Sequence, residues 1–253
     1  MDIGLALLSL LIGYLAGSLS FSRIITKLLA PEVDLANLKI SMETTEDEKI
    51  PGVFGANAAS MVGGTKWGLI VAILDILKAV VPMLVIKLIY KGEPYYLFSG
   101  FGGLLGHNWP IYYGFKGGRG FAVIVGSFFV IDWIAPIATT LAGLFLGMVV
   151  LGNQMLGSIL WMWLMIPWTI WRGGKWEIIY AITINIVFLL GAIPEIKSMQ
   201  RLKKSGKYQE YQESMYKASP RWRGMKKMTD RLWIFRPLFE RRKIGKITKD
   251  ATD

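Results

Sequence analysis

An all-α integral membrane protein of about seven transmembrane helices, with a glycine-rich inner loop and a basic cytoplasmic tail, is the fold this sequence predicts. Three observations predict it. Of 253 residues, 53% are hydrophobic and 10 are Trp, a composition too apolar for an ordinary soluble domain. The apolar residues are gathered in long runs separated by short polar breaks. The charge is lopsided: from Glu195 onward 17 Lys or Arg stand against 7 Asp or Glu, a net of +10 out of +11 for the whole chain.

Residues 3–29 are almost continuously apolar, and at about 1.5 Å each they exceed the ~30 Å hydrocarbon thickness. No basic leader precedes the run, so it reads as span one and not as a cleavable signal. Its second half carries Gly17, Ser18, Ser20, Ser22 and Arg23, polar groups that must turn toward protein rather than lipid. Residues 31–66 form a hydrophilic loop with an acidic run at Glu43, Glu46, Asp47 and Glu48, and its glycine-containing second half is expected to fold back onto the bundle. Span two, 67–90, holds Asp75 and Lys78 on one helix face, spaced for an ion pair. Spans three to seven are placed at 95–105, 121–131, 134–151, 155–171 and 176–193, with Trp and Tyr near their ends as interfacial anchors. The division expected is a membrane domain over 1–194 and a basic tail over 195–253.

Seven spans put the termini on opposite sides, and the tail's cations place it in the cytoplasm of a multi-pass cell-membrane protein. The loops at 30–66 and 106–120 then share the tail's face. Arg172 and Lys175 fall on the other side and count against this orientation. With no Cys and a single His, the chain offers no thiolate nucleophile, no disulfide and little basis for a metal site. The absence of an internal repeat removes the usual sign of a transporter.

The stretch at 105–123, L-G-H-N-W-P-I-Y-Y-G-F-K-G-G-R-G-F-A-V, interrupts the apolar runs with glycines, two cations and the sole histidine. Lipid cannot satisfy such a backbone, so the stretch faces water, protein or a ligand. In Lys116-Gly117-Gly118-Arg119-Gly120 the glycines let backbone approach an anion closely while Lys and Arg supply charge-assisted bonds. Two readings stand: a phosphate site, or a basic inner loop obeying the positive-inside rule. His107 likewise either orients or protonates a phosphate or caps the third span. No spacing selects a partner that would make it the base of a triad.

The pattern L-G-H-x-x-P-x-x-x-G-F-K-G-G-[KR]-G-x-A resembles the third motif of the PlsY-type membrane glycerol-3-phosphate acyltransferases. Gly17-Ser18-Leu19-Ser20-Phe21 resembles that family's first motif, G-S-x-x-F, and Leu74-Asp75-x-x-Lys78 its L-D-x-x-K segment, all in the family's order over about residues 5–200. The resemblance implies transfer of an acyl group from acyl phosphate to the 1-hydroxyl of glycerol 3-phosphate in phospholipid synthesis, with no coenzyme A, metal or other cofactor. It implies catalytic roles for His107, Ser18, Lys116 and Lys78, and a donor-phosphate site at Lys116, Gly117, Gly118, Arg119 and Gly120. What remains of an acceptor site is expected at Gly55, Asn57 and Ser60.

The second motif departs from the family. Where the family reads G-S-G-N-x-G-A-T-N-x-x-R, residues 50–61 keep Gly52, Gly55 and Ala56 and lose the serine, both asparagines and the arginine. Asp34-Leu35-Ala36 lacks the arginine of a preceding D-x-R element, and the R-H-x-E-N element has no counterpart near Glu195. Asn57, Ser60, Lys49 and Lys66, with Arg23 from span one, are the substitutes the sequence offers. With these losses the expected acceptor is glycerol 3-phosphate or a related hydroxyl compound, and a catalytically inactive relative that binds lipid or scaffolds other proteins is the alternative. The tail mixes Tyr208, Tyr211, Tyr216, Trp222 and Trp233 with cations, a pattern for lying on anionic membrane lipids or for a solvated segment. Nucleic acid is not an expected partner of a segment tethered to a bilayer.

Overall fold

A computed structural model describes residues 1–33, 35 and 55–235. The acidic run, Lys49, Gly52 and the last residues of the tail lie outside the described residues. Those described form helices α1 (Ile3–Gly17), α2 (Phe21–Leu29), α3 (Ala56–Gly63), α4 (Thr65–Ile89), α5 (Tyr95–Asn108), α6 (Phe121–Ile131), α7 (Ile134–Leu144), α8 (Gln154–Arg172), α9 (Lys175–Lys204), α10 (Tyr208–Ala218) and α11 (Pro220–Leu232). Among the described residues three stretches are long and apolar enough to cross a membrane, Ile3–Leu29, Thr65–Ile89 and Lys175–Lys204, and Phe121–Ile131 and Ile134–Val150 are shorter apolar helices.

Local chemistry explains several boundaries. Asp2 caps α1 by accepting the Leu5 amide at 3.0 Å, and Asn153 caps α8 by accepting those of Met155 and Leu156. The first apolar run is not one rod: it breaks after Ser18, and Ser20, in an extended conformation, starts α2. α9 continues through Pro194 to Lys204, so the expected boundary at 194 falls inside a helix. A proline there removes a single backbone bond, which neighbouring contacts outweigh.

The core lies between α4, α5, α6, α8 and α9, where Met83, Leu104, Val123, Phe128, Met165 and Ile184 are almost wholly buried. Leu69, Leu77, Val81, Leu88, Ile186 and Leu190 face outward, as side chains that meet lipid do. α1 packs intimately on α5 through glycines of both helices. A six-residue π segment, Phe145–Val150, extends α7 and brings Gly147 against Gly157 of α8.

The tail helices fold back onto the bundle. Tyr211 and Met215 of α10 are buried with Leu202, and Gln154 of α8 donates to the Tyr216 hydroxyl at 2.9 Å. At the opposite end of the bundle, Asp132 accepts bonds from Trp168 and from Arg172, the latter at 2.8 Å. Burial raises its pKa, but the bonds from Trp168, Arg172 and the Ile134 amide outweigh burial and leave it below the ordinary value. The stability this carboxylate contributes is present above its unfolded pKa and is lost as pH falls through the lower folded one. Arg172→Ala is therefore expected to lower thermal stability slightly at neutral pH, by under about 1 kcal/mol for so exposed a pair, and to flatten its decline in acid. Melting curves in detergent across that pH range check this.

Candidate active site

α5 ends at Asn108, and the chain reverses through a short 3-10 turn at Ile111–Tyr113, where the Phe115 amide returns to the Pro110 carbonyl at 3.0 Å. Residues 116–120 then lie back across the end of α5, and the Gly118 amide donates to the His107 carbonyl at 3.0 Å. A side chain at 118 would strike His107 Nε2, and one at 117 the His107 carbonyl. Gly120, at φ +79°, holds a left-handed conformation as α6 begins. These glycines thus serve closeness between loop and histidine, and the Gly118 amide is committed to protein.

His107, Arg119 and Gly120 share one cavity of about 280 Å³ with Gly55 and Asn57 at the start of α3 and with Asp75 of α4. Its remaining walls are largely apolar: Ala72, Ile76, Phe121, Ala122, Val125 and Trp161, from α4, α6 and α8. Arg119 pairs with Glu195 at 2.5 Å and lies over the Phe121 ring, and its side chain remains 43% exposed. A guanidinium has five donors, so this one pairing leaves others for a ligand. The second-motif segment and the glycine-rich loop, far apart in the chain, therefore meet.

The other expected residues stand behind or outside the wall. Ser18 is fully buried and donates to the Tyr14 carbonyl at 2.8 Å. Lys78 donates to the Leu19 carbonyl at 2.6 Å and approaches Asp75 Oδ1 at 2.8 Å. Ser60 donates to the Asn57 carbonyl at 2.8 Å. Lys116 is exposed, and its carbonyl accepts from Arg23 at 2.7 Å. Arg23 also lies 4.6 Å over the Tyr113 ring, so it braces the loop. Lys66 is exposed at the start of α4.

Two residues escape the sequence reading. Asn108 is buried with neither amide atom hydrogen-bonded among the described residues, close against Gly120 and Gly191. Arg221 of α11 lines the same cavity as His107 and Arg119. Its side chain is solvent-accessible yet enclosed by protein, and burial first, then the Arg119 charge, lowers its pKa from the ordinary guanidinium value. No motif pointed to it.

The family model described as "Glycerol-3-phosphate acyltransferase" matches residues 7–205. The chain is 33% identical over 168 residues to glycerol-3-phosphate acyltransferase 1 of Lactobacillus johnsonii, covering 63% of this chain and 75% of that protein. It is 30% identical over 179 residues to glycerol-3-phosphate acyltransferase 1 of Lactobacillus acidophilus, covering 70% of this chain and 81% of that one. Among solved structures it is similar to PlsY, an integral membrane glycerol 3-phosphate acyltransferase in its glycerol 3-phosphate form, with a TM-score of 0.62 and 26% identity, covering 80% of this chain and 93% of PlsY.

Proposed function

We propose that this chain, which belongs to the glycerol-3-phosphate acyltransferase family, moves an acyl group from an acyl phosphate to the 1-hydroxyl of glycerol 3-phosphate in phospholipid synthesis. One observation carries the reading: a single cavity joins cationic and polar groups, His107, Arg119 and Asn57, to the apolar wall formed by Ala122, Val125 and Trp161. An activated fatty acid has those two parts, a phosphate and a hydrocarbon chain.

In the reaction the acceptor hydroxyl attacks the acyl carbonyl carbon. An ester C–O bond forms, the C–O bond to phosphate breaks, and the hydroxyl proton leaves on the phosphate, giving lysophosphatidic acid and inorganic phosphate. The protein's task is to hold two anions in contact and stabilise the developing oxyanion, so fixed cations matter more than a protein nucleophile. Arg119, Gly120 and His107 hold the donor phosphate, with Lys116 adding charge from the same loop while Gly117 and Gly118 keep that loop close against His107. Lys78 ties Leu19, just past α1, to α4 beside Asp75, Ser18 closes the last turn of α1, and Gly55 and Asn57 line the acceptor side with Ser60 behind Asn57.

In the cell membrane, α1 with α2, α4, α5, α6, α7 with its π extension, α8 and α9 supply seven membrane-embedded segments. The C-terminus lies in the cytoplasm, and the outward lysines and arginines of the tail meet anionic lipids, each worth about 1 kcal/mol. The inactive alternative rests on the missing second-motif residues alone.

Purified protein given acyl phosphate and a panel of hydroxyl acceptors tests the reading. Phosphate release is expected to accelerate with glycerol 3-phosphate, and release no faster than in a Lys116→Ala, Arg119→Ala double variant ends the claim. Saturable acyl-phosphate binding without turnover would select the inactive alternative. If the apolar wall holds the chain, Val125→Phe shifts the preferred donor toward shorter acyl groups, which competition between donors of different length measures.

A further inference from the structure

We propose that Arg221, at the start of α11, is the cation that grips the phosphate of glycerol 3-phosphate, in place of the arginine missing from the second motif. The inference rests on the function proposed above and names the residue that completes its acceptor side.

Four observations meet at this residue. α11 lies beyond residue 205, where the family match ends, so the tail adds something the matched core does not contain. The helix is pinned at both ends: fully buried Ser219, its N-cap, donates to Asn57 Oδ1 at 2.6 Å, and beyond its other end the Ile234 amide donates to the Val149 carbonyl while Trp233 packs on Gly152. Asn57 belongs to the second-motif segment, so α11 docks where that motif lost its polar residues. Arg221, two residues after Ser219, then reaches the cavity that Gly55, Asn57, His107 and Arg119 line, and a smaller chamber it shares with Arg119 and Glu195.

The charges decide what it does there. Asp75 is matched by Lys78 and Arg119 by Glu195, whereas Arg221 makes no hydrogen bond or ion pair among the described residues. One guanidinium on this cavity is therefore left without a counter-charge, beside a second guanidinium that its ligand must also tolerate. Two phosphates, one on each substrate, have to sit together during acyl transfer, and their repulsion is offset only if each has its own cation. Arg119 serves the donor and Arg221 the acceptor.

The test is calorimetric titration of glycerol 3-phosphate into purified full-length protein, with steady-state kinetics alongside. Arg221→Ala should weaken glycerol 3-phosphate binding and raise its KM at least about 10-fold, leaving the KM for acyl phosphate and the melting temperature unchanged. Arg221→Lys should recover part of the loss, and Arg223→Ala, an exposed cation on the same helix, should change neither constant. Equal affinity of wild type and Arg221→Ala for glycerol 3-phosphate, or an effect confined to acyl phosphate, overturns the assignment. Tight glycerol 3-phosphate binding lost in Arg221→Ala, in a wild type that never transfers acyl groups, would support Arg221 and sink the catalytic reading instead.

Discussion

Arg119→Ala is expected to lower kcat/KM for acyl transfer by about 10²–10³-fold, the range seen when a preorganised donor to developing charge is removed. Arg119 lines the cavity beside His107 and Gly120, at the one point where the loop enters it. Its pairing with Glu195 fixes the guanidinium while leaving donors uncommitted. Arg119→Lys keeps the charge and loses the fork, so it should fall between wild type and alanine. Initial rates of phosphate release in matched detergent read all three. A loss confined to KM for glycerol 3-phosphate would mean that Arg119 serves the acceptor and that the two arginines have exchanged roles.

Gly102→Leu is expected to have the largest effect on stability, leaving little folded protein. The helices α1 and α5 meet through Gly13 and Gly17 on one side and Gly102 and Gly106 on the other, each pair four residues apart. That spacing lets backbones approach closely within a membrane. A Cβ at 102 would strike the Leu10 carbonyl, one at 106 the Tyr14 carbonyl, and one at 17 the Gly103 carbonyl. Backbone cannot step aside as a side-chain tip can, so even one methyl group separates the helices, and overpacking of this kind costs about 1–3 kcal/mol or more. Separation would also break the bond from the Tyr14 hydroxyl to the Trp109 carbonyl, at 2.9 Å, and unseat the loop that carries Arg119. Gly224→Ala, at a helical position with open space around it, is the control and should be neutral or slightly stabilising. Yield of monodisperse protein and melting temperature separate the two.

The membrane core was legible because lipid imposes long apolar runs, and the expected span at 121–131 coincides with α6. The third motif was legible as a unit because the contacts among its members are local: the loop turns back on His107 within about a dozen residues. What escaped is what no local pattern carries. Ser219 and Asn57 are 162 residues apart, and nothing in a tail rich in lysine and arginine distinguishes Arg221 from its neighbours until α11 docks on α3. Lys116 shows the reverse limit, since the motif places it beside Arg119 in sequence while the turn of the loop leaves it exposed. The break after Ser18 was hidden as well, because apolar residues continue on both sides of it.

If one cavity handles both phosphates, the acyl group passes from one substrate to the other within it. Purified wild type incubated with acyl phosphate and isotopically labelled glycerol 3-phosphate, without coenzyme A or added metal, tests it directly. The predicted result is labelled lysophosphatidic acid formed in equal amount to the phosphate released. Phosphate release with no labelled lipid, or no reaction at all from protein that is folded and monodisperse, would contradict it.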